Sequence, residues 1–360
     1  MRLTRRALLA GTVLTAGPVM RTGVGAATKD KPQSKLWAAH GAWWALLPAG
    51  EGAALWKREA GGWRRESHLD GYFRGLPGQA DAMPSGGGAA AVLVEAGRLA
   101  VARLRWDEAR RRYEPGAEPV VIEEHKGIET ATIAEAGGRL WIAYNSGRHM
   151  WVRSSGAWGR ATRVTLREAK DDDICQIVVF AGGVGVIWSD QAEDAVFLRR
   201  HAEDGWKEPE AAERGGNTAD DHISTAVARD GTLYVATKNS VDTLDRPQLV
   251  LRVRSPRGEW RNMPYARLTA TEGPTRPIAM LSADERTLHL LHTVARRGVK
   301  PAASAIVLLS TAAAAPDVGG TPRVLIDGGG QINNVTGPKR GGGLVLASDE
   351  NGGIYEALVR

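Results

Sequence analysis

One pattern returns along the chain about every 45 residues, and it limits the fold more than any other feature of the sequence. Each copy reads as polar residues, an alternating strand, a Gly-rich turn, a second strand, a polar loop, and a hairpin that often carries tryptophan. The clearest copy starts at Gly127-Ile128-Glu129-Thr130 and runs through ATIAEAGG and RLWIAYNSGRH to MWVRSSGAWGRATRV. Further copies start at Lys35, at Asp172, at Asp221, near Pro274 and near Gln331. A worn copy after the first keeps its hairpin, AVARLRWDEARRRYEPG, in phase. Period-2 alternation, with turn signals such as Asp230-Gly231 and Gly137-Gly138, makes each copy a four-stranded antiparallel meander. A unit of that size is a β-propeller blade. The expected fold is therefore all-β: a propeller of seven four-stranded blades, with six as the alternative count and a pair of β-sandwiches as the rival architecture. The last copy ends after its third strand, IYEALVR, so the segment around Pro32 to Leu36 is expected to add the missing outer strand and close the ring.

Composition agrees with this reading. The 44 glycines, and 12 tryptophans against 3 phenylalanines, suit short strands and tight turns better than long helices. Residues 1–27 read as an export leader: a basic start, a mildly apolar stretch from Ala7 to Val19, and the small residues Val24-Gly25-Ala26-Ala27. Thr4-Arg5-Arg6-Ala7-Leu8-Leu9 resembles the twin-arginine signal of bacteria, which implies a periplasmic or extracellular protein. Residues 28–360 then form a single propeller domain, expected to be a monomer. The leader holds four arginines and no acid, so removing it lowers the net charge from +6 to +2. That is too small a surplus for a nucleic-acid partner. No later apolar run approaches the roughly 20 residues needed to span a bilayer. Cys175 is the single cysteine, which rules out an internal disulfide, and its place on a strand assigns it to the core.

The hairpins SSGAWGRA, HAEDGWKEP and SPRGEWRNM resemble the Asp-boxes of sialidase-like propellers, in degenerate form. Asp220-Asp221-His222, followed by a strand and Asp230-Gly231-Thr232-Leu233-Tyr234, resembles the BNR-repeat proteins of bacterial polysaccharide degradation. Phe73-Arg74-Gly75-Leu76-Pro77 is similar to the Phe-Arg-Ile-Pro segment of sialidases, with an added glycine. The resemblance implies sugar chemistry or sugar binding.

Blade geometry says where a site must lie. The loop leading into an innermost strand and the loop after the second strand fall on one face, and those loops carry the unusual polar residues. The lead-in loops hold Asp172, Asp221, His222, Arg276 and Asn334; the other set holds Tyr144, Asn145, Arg148, His149, Asp190, Lys238, Asn239, His292 and Asp349. Two long loops, from Asn239 to Gln248 and from Val294 to Ser304, are candidate pocket walls, the second with Arg296 and Arg297. Turns on the opposite face are bland. His222 beside two acids suits a general base or acid near neutral pH, or alternatively a structural His–Asp bond. The expected function is an exported carbohydrate-active enzyme acting on an acidic oligo- or polysaccharide. A lyase would use His222 or Tyr144 as base and Arg276, Arg148 or Lys238 as the stabilising cation. A glycoside hydrolase would use two of Asp172, Asp190 and Asp221. The remaining polar residues, Asn145, His149, Asn239, His292, Asn334 and Asp349, are candidate substrate contacts. A non-catalytic glycan- or protein-binding propeller is the alternative. Aspartate-rich lead-in loops offer oxygen ligands for calcium, but none has a recognised ligand spacing, and no cofactor is expected.

Overall fold

The computed structural model of the chain describes residues 17–29, 33–156, 158–180 and 183–359. Its strands form seven antiparallel sheets that follow one another along the chain. The innermost strands are Leu36–Ala39, Gln79–Ser85, Ala131–Ala136, Cys175–Phe180, Ile223–Val227, Glu272–Leu281 and Ile332–Thr336. Seven four-stranded blades are present, so the six-blade count falls; the second and fourth blades each carry one additional short strand. Among the described residues, helix is confined to Ser67–Leu69 and Asp70–Phe73, between the first and second blades.

Alternation along each strand serves two interfaces at once. Ile133 and Ile142 pack toward the second blade, whereas their neighbours Ala134 and Ala143 pack toward the fourth. Leu288 and Leu290 likewise face the fifth blade and Leu291 the seventh. Seven apolar clusters result, one between each pair of neighbouring blades. This is why a middle strand such as Leu344-Val345-Leu346-Ala347 is apolar at every position rather than at every second one. Cys175 is buried in the cluster between the third and fourth blades, where it acts as a small apolar side chain.

The innermost strands have no fifth strand to pair with, so their free backbone donors need other partners. At the first junction the Ser34 carbonyl accepts from the Ala82 amide (2.7 Å), and at four others a side chain of the preceding blade is the acceptor. Asp81 Oδ2 accepts from the Ile133 amide (2.6 Å), Thr132 Oγ1 from Ile177 (2.9 Å), Ser224 Oγ from Ala279 (3.1 Å), and Thr336 Oγ1 from Lys35 (3.1 Å). The last of these joins the seventh blade to the first. Asp81 is wholly buried and also accepts from the Ser34 amide (2.7 Å) and from Lys339 Nζ (2.6 Å), so it holds four blades together.

An N-terminal strand closes the ring, but it is not the segment around Pro32 to Leu36. Met20–Arg21 pairs with Gly353–Leu358, Met20 opposite Ile354. Leu36–Ala39 is instead the innermost strand of the first blade, paired with Ala42–Ala49. Burial explains the difference. Leu36 packs toward the seventh blade and Trp37 toward the second, and only a strand covered on both faces can do that. The paired arginines Arg5 and Arg6 lie outside the described residues.

Asp81→Ala would strand two buried amides and the Lys339 ammonium together. The expected loss is about 3–5 kcal/mol, seen as a lower urea midpoint; an unchanged midpoint would show that the belt contributes nothing to closure.

Candidate functional site

The two loop sets do meet on one face. In the third blade, the amides of Glu129 and Thr130 in the lead-in loop both donate to Asn145 Oδ1 at the end of the second strand (3.1 Å each). In the fourth, the Ile174 amide donates to Ser189 Oγ (3.3 Å). Asn145 thus fixes a loop.

His222 and Asn334 stand two residues before the belt acceptors Ser224 and Thr336, and in the blade between them Arg276 stands three residues before Ala279, whose amide Ser224 receives. The innermost strands of the sixth and seventh blades each carry a register shift, between Thr275 and Ile278 and between Asn333 and Thr336. Arg276 and Asn334 sit inside these bulges with left-handed backbones, φ +52° and +48°. Bulges with non-glycine residues at positive φ re-aim side chains and gather at functional sites.

His222 is buried, with Nδ1 2.8 Å from Asp220 Oδ1 and also against Asp221 Oδ1. Lys238 Nζ binds the other oxygen of Asp220 at 2.7 Å. Two carboxylate acceptors around Nδ1 place the proton on that nitrogen and leave Nε2 as the basic atom. Nε2 faces the next blade, 3.4 Å from Thr275 Oγ1. Arg276 follows directly; it is half-buried and forms no hydrogen bond or ion pair with any described residue. The constellation therefore presents an oriented imidazole, a guanidinium and a small hydroxyl at adjoining blades.

Ligand atoms of Asp220, Asp221 and His222 lie within 4.8 Å of one another, close enough to hold a cation. The Nδ1 proton lies between the two carboxylates and the Lys238 ammonium takes the other oxygen of Asp220, so the atoms a cation would need are already engaged and these residues fit a proton-bearing cluster better than a metal site.

The other candidates are distributed differently. Tyr144 is fully buried between the second and third blades; its hydroxyl donates to Glu123 Oε2 (2.6 Å) and accepts from Arg153 Nε (2.9 Å). Burial raises its pKa, and it has no route to the mouth as a base. Asp172 is exposed, whereas Asp190 accepts from the Glu193 amide (2.9 Å) and shapes a turn. Asp221 is drawn to His222 instead. The acid that does lie near Asp190 is Asp173, pushed up to about 6 by burial and, to a lesser extent, by the charge of Asp190. Arg148 binds Ala169 O (3.1 Å) and Glu168 (3.0 Å), and His149 Nδ1 meets Thr165 Oγ1 (3.1 Å). Asn239 is held by Arg252 Nη2 (3.2 Å) and Pro247 O (3.4 Å). Asp349 caps its own hairpin through the Asn351 and Gly353 amides (2.8 Å each). The expected loop from Val294 to Ser304 is shorter, because strands Thr287–Arg296 and Ala303–Ala312 take up its ends; Arg296 pairs with Asp327 (2.6 Å) and Arg297 donates to Thr269 O (3.1 Å).

His292 is buried between the fifth and sixth blades, its ring 5.7 Å from that of Tyr265. Desolvation pushes its pKa down to about 3. Arg252 and Thr275 are contributors that sequence reading did not single out. Arg252 is wholly buried, donates to Glu213 Oε2 (2.7 Å), and has its pKa lowered to about 10 by burial against the opposing pull of Glu213. A charged residue at an inward position of LVLRVR was the available signal. Thr275 gave none, because its role comes from the neighbouring blade. A cavity of about 430 Å³ lined by His40, Trp43, Lys57, Arg58, Trp106 and Arg111 opens on the opposite face, away from His222.

No protein-family model and no curated protein matches the chain. Solved structures do. The polysaccharide lyase Uly1 aligns with a TM-score of 0.51 at 9% identity, over 98% of this chain and 93% of its own. An alpha-L-arabinanase of Penicillium chrysogenum, complexed with arabinobiose, gives 0.47 at 9% identity, over 81% and 98%. A subtype N10 neuraminidase-like protein of a little yellow-shouldered bat isolate gives 0.46 at 10%, over 74% and 87%. At these identities the likeness is one of fold alone: the chain is a seven-bladed propeller.

The neutral His292 makes a pH-dependent contribution. The unfolded chain takes up a proton below about pH 6.5 and the folded one does not, so stability falls as pH drops from 6.5 toward 3. His292→Phe should remove this slope. Relative to the variant, wild type should lose about 2 kcal/mol between pH 7 and 4.5 in urea titrations, and parallel curves would refute the assignment.

Proposed function

We propose that the mouth formed by the fifth, sixth and seventh blades binds an acidic glycan and cleaves it by elimination. The observation that carries this reading is the His222 imidazole, held by Asp220 with Nε2 3.4 Å from Thr275 Oγ1 in the next blade, where Arg276 follows and pairs with no described residue. Arg276 would bind the uronate carboxylate and stabilise the negative charge that builds there. His222 Nε2 would take the proton from the carbon next to that carboxylate. The electron pair then forms the carbon–carbon double bond and expels the glycosidic oxygen, which collects a proton from solvent. Asp220 and Lys238 position the imidazole and keep its tautomer fixed. Hydrolysis is less well supported, because Asp172, Asp190 and Asp221 serve separate surroundings. The carbohydrate-active proteins of similar fold favour a glycan substrate. The twin-arginine start supports action outside the cytoplasm.

Elimination leaves an unsaturated uronide, read as an absorbance rise at about 235 nm on polymers such as polygalacturonate or hyaluronan. His222→Ala should lower kcat at least about 100-fold, with the melting temperature within a few degrees of wild type. Arg276→Ala should lower kcat/KM similarly on the charged polymer. Retained turnover per folded molecule in His222→Ala, together with a stability loss of roughly 1–3 kcal/mol, would make His222 a strut between blades. Glycan binding with no product after long incubation would leave a binding propeller.

A further inference from the structure

The residues that read as the end of a leader have a second role in the folded chain. Val19 to Thr28 runs along the seventh blade and is bonded to it throughout. The Val19 amide donates to Ile354 O (2.7 Å), Thr22 to Gly352 O (3.0 Å) and Ala26 to Asp349 O (2.9 Å). The Thr28 amide donates to Ser348 Oγ (3.1 Å), and its hydroxyl reaches both Asn333 O (3.3 Å) and Ser348 Oγ (2.8 Å). Met20 and Ala27 are buried in the cluster that joins the seventh blade to the first.

Small residues are required here by packing alone. A Cβ on Gly25 would stand 2.2 Å from Glu350 O, and one on Gly352 would stand 3.0 Å from Val24 O. Ala27 has no exposed surface, and Ala26 takes a left-handed backbone, φ +52°. The stretch Val24-Gly25-Ala26-Ala27 is thus accounted for by close backbone contact without a peptidase. A peptidase needs an exposed and extended segment, and this one is neither once the blade has formed.

We infer that Val19 to Thr28 is a permanent strap of the mature protein, and that any leader removal cuts on the N-terminal side of Val19. A cut after Ala27 would remove the fourth strand of the seventh blade and bare the edge of Gly353–Leu358. This conclusion does not depend on the glycan reading, since it concerns closure of the ring and not the mouth.

Intact mass and N-terminal sequencing of the full chain, expressed in a bacterial host and purified folded, test it directly. A product that begins at or before Val19, cut or uncut, is expected. A folded product beginning anywhere from Met20 to Thr28 would overturn the inference. In the full chain, Gly25→Val should lower the melting temperature by at least about 3 °C and speed proteolysis within the seventh blade. Melting and proteolysis both equal to wild type would show that the strap contributes nothing, and would overturn the inference as well.

Discussion

Hydrogen bonds between a side chain of one innermost strand and the backbone amide of the next decide how this ring is held. A propeller leaves seven strand edges facing its own axis, and buried backbone donors there are costly unless paired. Asp81, Thr132, Ser224 and Thr336 supply oxygen acceptors one blade ahead, and Thr336 makes the link that joins the last blade to the first. With the axis fixed in this way, the outer strands need only pack, which the seven apolar clusters accomplish. Charge is added to apolar packing at one junction: Arg252 with Glu213 and Arg254 with Glu210 join the fourth and fifth blades (2.7 and 2.8 Å).

The same belt hangs the candidate site. His222 and Asn334 emerge two residues ahead of its acceptors Ser224 and Thr336, and Arg276 three residues ahead of Ala279, whose amide Ser224 receives. Most polar side chains of this face are occupied in holding loops, as Asn145 and Asp349 are. Arg252 and Lys339 have acids beside them, Glu213 and Asp81. Arg276 differs: its backbone is held in a sparsely populated region and its guanidinium pairs with no described residue. A strained backbone that carries a cation paired with no described residue, next in the chain to the threonine that meets the His222 imidazole, has a physical rationale in ligand binding and little in stability.

The N-terminal strap shows how one short motif can satisfy two readings. Small residues are what a leader peptidase selects and also what a backbone needs to lie flat against another. Composition cannot separate these causes. The contact of Gly25 with Glu350 O can, because it specifies which atom the missing side chain would strike.

The sequence by itself determined the architecture. Alternation with a period of two, turn glycines and a repeat of constant design are local properties, and local hydrogen bonding translates them directly into meanders. The face that would carry polar chemistry was legible for the same reason, since strand direction reverses at every turn. His222 was readable too, beside its acids in sequence. What only the tertiary structure decided involves partners in other blades. Tyr144 looked like a base until Glu123 and Arg153 closed over it, and Asp172 looked like the acid when Asp173 is the one held near Asp190. The closing strand proved to be Met20–Arg21 because Leu36 and Trp37 are needed between blades. Such roles depend on desolvation and on atoms many residues away in the chain, and no local pattern encodes either.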